Sequence, residues 1–142
     1  MLVVGRPAVR RVMQLAADAG VADQVIACGP SSDIARFHAA ADLFVLPTQY
    51  EAFSLGILEA LGSGLPVVTS DVAGARDAIR VGVNGVLVRD PRDGEEFAAV
   101  LRPMLDPTAR AALAAGVAES VRSYQWPAVL ERYEQVLQAC TR

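Results

Sequence analysis

The stretch Pro47-Thr48-Gln49-Tyr50-Glu51-Ala52-Phe53-Ser54-Leu55-Gly56-Ile57-Leu58-Glu59-Ala60-Leu61 joins three kinds of local signal. It follows the apolar run Leu43-Phe44-Val45-Leu46, whose continuity predicts a strand buried on both faces. Pro47 ends that strand, and a polar loop leads to a helix predicted from about Ser54 to Ser63. The first N–H groups of such a helix have no intrahelical partner and carry the positive end of the helix dipole. They form a place suited to a phosphate or pyrophosphate, which the small residues Ala52, Ser54 and Gly56 let approach the backbone. One carboxylate, Glu51, lies ahead of the helix, and a second, Glu59, lies inside it.

Outward from this stretch the chain alternates strand and helix. Leu2-Val3-Val4 predicts a strand, Ala8 to Ala19 an amphipathic helix stopped by Gly20, and Gln24 to Cys28 a second strand closed by Gly29-Pro30. Ser31-Ser32-Asp33 supplies caps for a helix running to about Ala41. On the other side, Pro66 to Thr69 predicts a strand, Gly74 to Ile79 a short helix and Gly85 to Val88 the last strand. Helices follow at Asp93 to Leu105, Thr108 to Arg122 and Trp126 to Ala139, punctuated by Pro91, Pro103, Pro107 and Pro127. This order predicts an α/β fold, a doubly wound parallel sheet with extra C-terminal helices. Ligands of such sheets bind beyond the carboxyl ends of the strands, which directs attention to the loop 47–53.

Composition excludes several classes. The chain has 142 residues, 53% hydrophobic and 20% charged, a balance for a packed domain and against disorder. Its net charge of −3 leaves no basic footprint for nucleic acid. All 13 basic residues are Arg, so no step within this chain can use a Lys. That excludes a receiver-type phosphoacceptor role for Asp71, which needs one. The two cysteines, Cys28 and Cys140, and the single histidine, His38, form neither a disulfide framework nor a metal cluster, and a cytoplasmic setting is expected. No apolar run is long enough to span a membrane.

The carboxylate spacing separates two chemistries. Glycosidase pairs stand roughly 5 to 10 Å apart across one glycosidic bond. Eight residues at about 1.5 Å rise each place Glu51 and Glu59 on the order of 10 Å apart along the helix axis. The pair is expected to flank something longer, such as a nucleotide diphosphate sugar with one carboxylate at each end.

The same stretch resembles the E-x7-E motif of the family-4, group 1 retaining glycosyltransferases of the GT-B fold. Further blocks carry the resemblance in order: Ala16 to Val25, Ala40 to Thr48, Gly64 to Asp71 with Gly74, and Asn84 to Val88, covering about Leu2 to Leu101. It implies that residues 1–142 are the C-terminal donor-binding domain of such an enzyme. Glu51, the residue given the catalytic role, would contact donor-sugar hydroxyls, and Glu59 the ribose hydroxyls. The backbone at Ala52, Phe53, Ser54 and Leu55 would meet sugar hydroxyls and the diphosphate, and the turn at Cys28-Gly29-Pro30 would lie near the base.

A UDP- or GDP-sugar would be donor substrate, with no cofactor and no metal. A glycan, lipid or small-molecule acceptor would bind through an N-terminal domain, and the full-length enzyme could associate with a membrane. The sequence departs from the commonest family form at Ala52 and Ser54, where Gly is usual. Met1 to Gly5 aligns with the second strand of that domain, so its first strand-helix and the basic residues on it are expected to be missing and the chain to be inactive alone. Two alternatives are a module self-associating as a homodimer, and a GT-B sugar-nucleotide epimerase. Cys28 is expected to be buried, His38 to lie on a helix face, and Arg76 and Arg80 to be surface charges. Tyr124, Trp126 and Tyr133 are expected to be packing aromatics, partly exposed here.

Overall fold

A computed structural model describes residues 1–6 and 8–140. The chain divides into two compact units, Met1–Phe37 and His38–Arg142.

In the first unit, β1 (Leu2–Val4) pairs in parallel with β2 (Ile26–Gly29). Leu2 sits opposite Ile26 and Val3 opposite Ala27, and the register shifts before Val4 meets Gly29. The crossover contains α1 (Val9–Asp18), whose buried contact is Ala16. Gly20, at φ +69°, adopts the left-handed geometry that ends a helix.

The second unit opens with the end of α2 (Ile34–Ala39) and holds a parallel sheet in the order β3-β4-β5. The strands are β3 (Phe44–Leu46), β4 (Val67–Ser70) and β5 (Gly85–Val88). Helix α3 (Leu55–Gly62) connects the first two, and a short 3-10 turn, Arg76–Ala78, stands in the connection to β5 where a helix over Gly74 to Ile79 was expected. Then come α4 (Gly94–Leu101), α5 (Pro107–Ser120) and α6 (Trp126–Cys140). Asp93 caps α4, accepting from the amides of Glu95 and Glu96, and Asp106 caps α5 with Pro107 at its first position.

Alternation along β4 places a core on each face of this sheet. Val67 packs with Ile57, Ala60 and Leu61 of α3 and with Val117 of α5. Val68 packs with Val88 and with Phe97 of α4. Helices on both faces of a parallel sheet are the architecture expected from the strand-helix alternation, and the fold class is α/β with parallel sheets. The described strands form two hydrogen-bonded ladders, β1-β2 and β3-β4-β5.

Burial differs from expectation at β3. Phe44 and Leu46 are half-buried and Val45 is exposed, whereas all four residues of β4 are buried. The reason is position: β4 has a strand on each side, and β3 is an edge of its ladder. An apolar run reports that a strand avoids water, and strand order then decides which strand is best covered.

Candidate functional site

The loop 47–54 leaves the carboxyl end of β3 and is held to the next strand's end by polar contacts. The Thr48 amide donates to the Ser70 hydroxyl at 3.0 Å, and the Thr69 hydroxyl donates to the Leu46 carbonyl at 2.9 Å. Thr69 and Ser70 are fully buried, so these hydroxyls work as fixed internal ties. The Thr48 hydroxyl turns back to the Tyr50 carbonyl at 2.8 Å.

Helix α3 begins as its sequence predicts. Ser54 is the N-cap, with extended backbone and a side chain accepting from the Ile57 amide at 3.4 Å. The first intrahelical bond runs from the Leu58 amide to the Ser54 carbonyl at 3.2 Å. The amides of Leu55 and Gly56 precede it, at the positive end of the helix dipole. Ile57, Ala60 and Leu61 form the buried face of α3. Leu55 and Glu59, four residues apart, lie together on the exposed face. Glu51 is half-buried ahead of the helix, and Ala52 and Phe53 are exposed. One short segment therefore brings together Glu51, Ala52, Phe53, Ser54, Leu55 and Glu59, with the helix terminus between the two carboxylates.

Cys28 and Gly29 belong to the other unit, at the end of β2. Gly29 takes φ +70°, and its carbonyl accepts the Gly5 amide at 2.9 Å. Cys28 is half-buried rather than buried, with Sγ 3.7 Å from the Ile26 carbonyl, because its strand is one of only two in its ladder.

The segment after β4 closes on the same loop. Gly74, at φ +80°, lies so close to the loop backbone that a Cβ there would run into the carbonyl oxygens of Ala52 and Glu51. Its own carbonyl accepts the Ser54 amide at 3.4 Å. Asp71 and Arg76 pair at 2.9 Å across this turn, which accounts for Arg76 locally. Tyr124, on the 3-10 turn before α6, sets its ring against Phe53 at 6.3 Å between centroids.

Sequence reasoning did not assign Gly74, Ser70 or Tyr124 to this site. The signal for Gly74 was a glycine just past a strand end, and the other two carried none. His38 lies on α2 as expected and is buried: its Nδ1 is 3.2 Å from the Ser63 hydroxyl and its ring meets Phe44 edge-on at 5.9 Å. The Ser63 hydroxyl donates to the Glu59 carbonyl at 2.8 Å, so His38 supports the C-terminal end of α3. Trp126 and Tyr133 are exposed, while Tyr124 is half-buried. Among the described residues no group of three His, Cys, Asp or Glu side chains could hold a metal ion. No helix among them is long and apolar enough to cross a membrane.

Comparison with known proteins places this chain in a family. Residues 1–106 match the family model described as Glycosyl transferases group 1. The D-inositol 3-phosphate glycosyltransferase of Thermobispora bispora is 41% identical over 125 residues, covering 86% of this chain and 29% of that relative. The protein of the same name from Thermomonospora curvata is 37% identical over 135 residues, covering 93% of this chain and 31% of that relative. The chain thus spans under a third of the length of these relatives. Among solved structures, a sucrose-phosphate synthase from Thermosynechococcus elongatus superposes with a TM-score of 0.84 at 27% identity, over 99% of this chain and 38% of that one. HepE from Anabaena, solved in complex with UDP, gives 0.81 at 26% identity, over 97% of this chain and 40% of that one.

Proposed function

The chain belongs to the group 1 glycosyl transferases, and from that premise we propose that it is the donor-binding part of a retaining, family-4 enzyme. That enzyme moves a sugar from a nucleotide diphosphate sugar to an acceptor hydroxyl. The observation that carries this reading is the N-terminus of α3, capped by Ser54, with Glu51 before it and Glu59 on its exposed face.

Such a terminus favours the two negative charges of a diphosphate and the charge that builds on it as the sugar leaves. Glu51 addresses sugar hydroxyls and Glu59 the ribose hydroxyls, each as an acceptor. The free amides of Leu55 and Gly56 and the exposed backbone of Ala52 and Phe53 line the space between them. The Ser54 amide is turned to Gly74, so Ser54 contributes through its cap.

UDP is the first nucleotide to test, since HepE was solved with it, and GDP and ADP follow. An inositol phosphate is the first acceptor to test, given the names of the similar glycosyltransferases. The 142 residues alone are expected to bind donor without transferring its sugar, because they span under a third of such enzymes. A cytoplasmic setting accords with the two free cysteines. Self-association through the exposed apolar side chains of Trp126, Leu130 and Tyr133 on α6 is a second reading, checked by light scattering over a concentration series.

The test is amide NMR during titration with UDP, GDP and ADP, repeated with Glu59→Ala. Saturable shifts at Leu55 to Leu58, weakened in Glu59→Ala, are expected for one base. A folded domain whose amides do not move with any nucleotide would overturn the donor-site reading.

A further inference from the structure

We propose that Tyr124 is a positioning residue for the loop that carries Glu51 and caps α3, an inference that rests on reading this loop as the donor site. The residue lies about seventy positions further along the chain, on the 3-10 turn Arg122–Tyr124, yet it touches the site's framework at two points. Its ring packs against Phe53 at 6.3 Å between centroids, with planes inclined at 47°. Its hydroxyl donates to the Asp77 carbonyl at 3.2 Å. Its side chain also packs against the core cluster that includes Ile57, Leu61 and Val117, which anchors it.

These two contacts bear on one object. Phe53 immediately precedes the Ser54 cap and is half exposed at 47%, and Tyr124 is its aromatic neighbour. Asp77 lies in the 3-10 turn Arg76–Ala78, three residues after Gly74. Gly74 supports the loop from the other side, through the Ser54 amide and the close approach to the Ala52 and Glu51 carbonyls. Tyr124 therefore holds the loop directly through Phe53 and holds its support through Asp77. Without it, the loop keeps the Thr48 bond to Ser70 and the Ser54 bond to Gly74 but loses the side-chain contact that orients Phe53.

The consequence falls on the order of the loop and on binding, with a modest loss of stability. An aromatic pair of this kind corresponds to about a two- to tenfold change in an equilibrium constant. In Tyr124→Leu, which keeps an apolar side chain in the cluster, amide shifts at Phe53 to Gly56 move in the ligand-free protein and exchange of the Ser54 amide, bonded to Gly74, speeds up, while amides of β5 keep theirs. UDP then binds about two- to tenfold more weakly, and Tm falls by a few degrees because the pair is also present in the ligand-free fold. Tyr124→Phe, which retains the ring and removes only the bond to Asp77, restores the Phe53 shifts.

Phe53→Leu gives the same loop signature from the exposed partner, and combining it with Tyr124→Leu adds little beyond either alone. Unaltered amide shifts at Phe53 to Gly56 in both single variants, or full additivity in the double variant, would overturn the proposal. If Tyr124→Leu does not fold, Phe53→Leu against Tyr124→Phe decides on the same amides. Because these readouts need no ligand, failure of the wild-type chain to bind UDP, GDP and ADP alike refutes the donor-site reading separately.

Discussion

The carbonyl of Gly74 accepts the amide of Ser54 at 3.4 Å, and the Gly74 Cα lies where no side chain fits, against the Ala52 and Glu51 carbonyls. The residue that caps α3 is thus braced by a glycine twenty positions away, at the carboxyl end of the neighbouring strand. At φ +80° that glycine also holds a backbone conformation that costs an L-residue about 1–2 kcal/mol.

Gly74→Ala should therefore act twice, through backbone strain and through collision with the loop. The collision is with backbone, which cannot rotate aside, so the loop must move. The expected result is a fall in stability of at least about 1 kcal/mol from the backbone conformation alone, together with displaced amides at Glu51 to Ser54. Denaturant unfolding and amide NMR check it; a variant matching wild type in both would show that the loop is not braced there.

Ser54→Ala removes the side-chain cap of α3. Such losses cost about 0.5–2 kcal/mol, and a 3.4 Å bond belongs near the lower end. Ser54→Gly should cost only a few tenths of a kcal/mol by the same comparison. Thermal unfolding of the two variants tests the order, which reverses if Ser54 does not act as a cap.

Asn84→Ala should be the more damaging substitution, although it lies outside the candidate site. Asn84 is fully buried; its carbonyl oxygen accepts the Arg80 amide at 2.8 Å. Its amide donates to the Ala78 carbonyl at 3.0 Å and to the Ser120 hydroxyl at 2.8 Å, joining the turn before β5 to α5. Removing it leaves buried partners unpaired, at about 1–3 kcal/mol for each group so exposed to desolvation. The expected readout is a midpoint shift in denaturant at an unchanged slope.

Asp90 gives a prediction in pH. The Arg92 amide donates to its carboxylate at 2.9 Å and the Arg92 side chain at 3.2 Å, and these bonds hold its pKa below the ordinary 3.8. A carboxyl with a lowered folded pKa stabilises the fold above its unfolded pKa, and that contribution is lost as pH falls through the folded value. Carboxyl NMR titration should place the Asp90 midpoint below 3.8, and Arg92→Gly should raise it part of the way by removing the side-chain bond while the backbone bond remains.

What could be read along the chain was what the chain writes locally. The strand-helix alternation, the start of α3 at Ser54 and the placement of Glu51 before α3 with Glu59 inside it all depend on residues within a few positions of one another. Short-range hydrogen bonding and side-chain periodicity decide them, so a single sequence suffices. Tertiary structure alone decided that β4, not β3, is the strand covered on both sides, that His38 turns inward to Ser63, and that Cys28 is only half-buried. It alone brought Gly74 and Tyr124 to the loop of Glu51, from about twenty and seventy residues away. Those outcomes depend on strand order and on which loops meet at the carboxyl end of a sheet. No residue carries that information in its neighbours, because close packing is a property of the assembled layers.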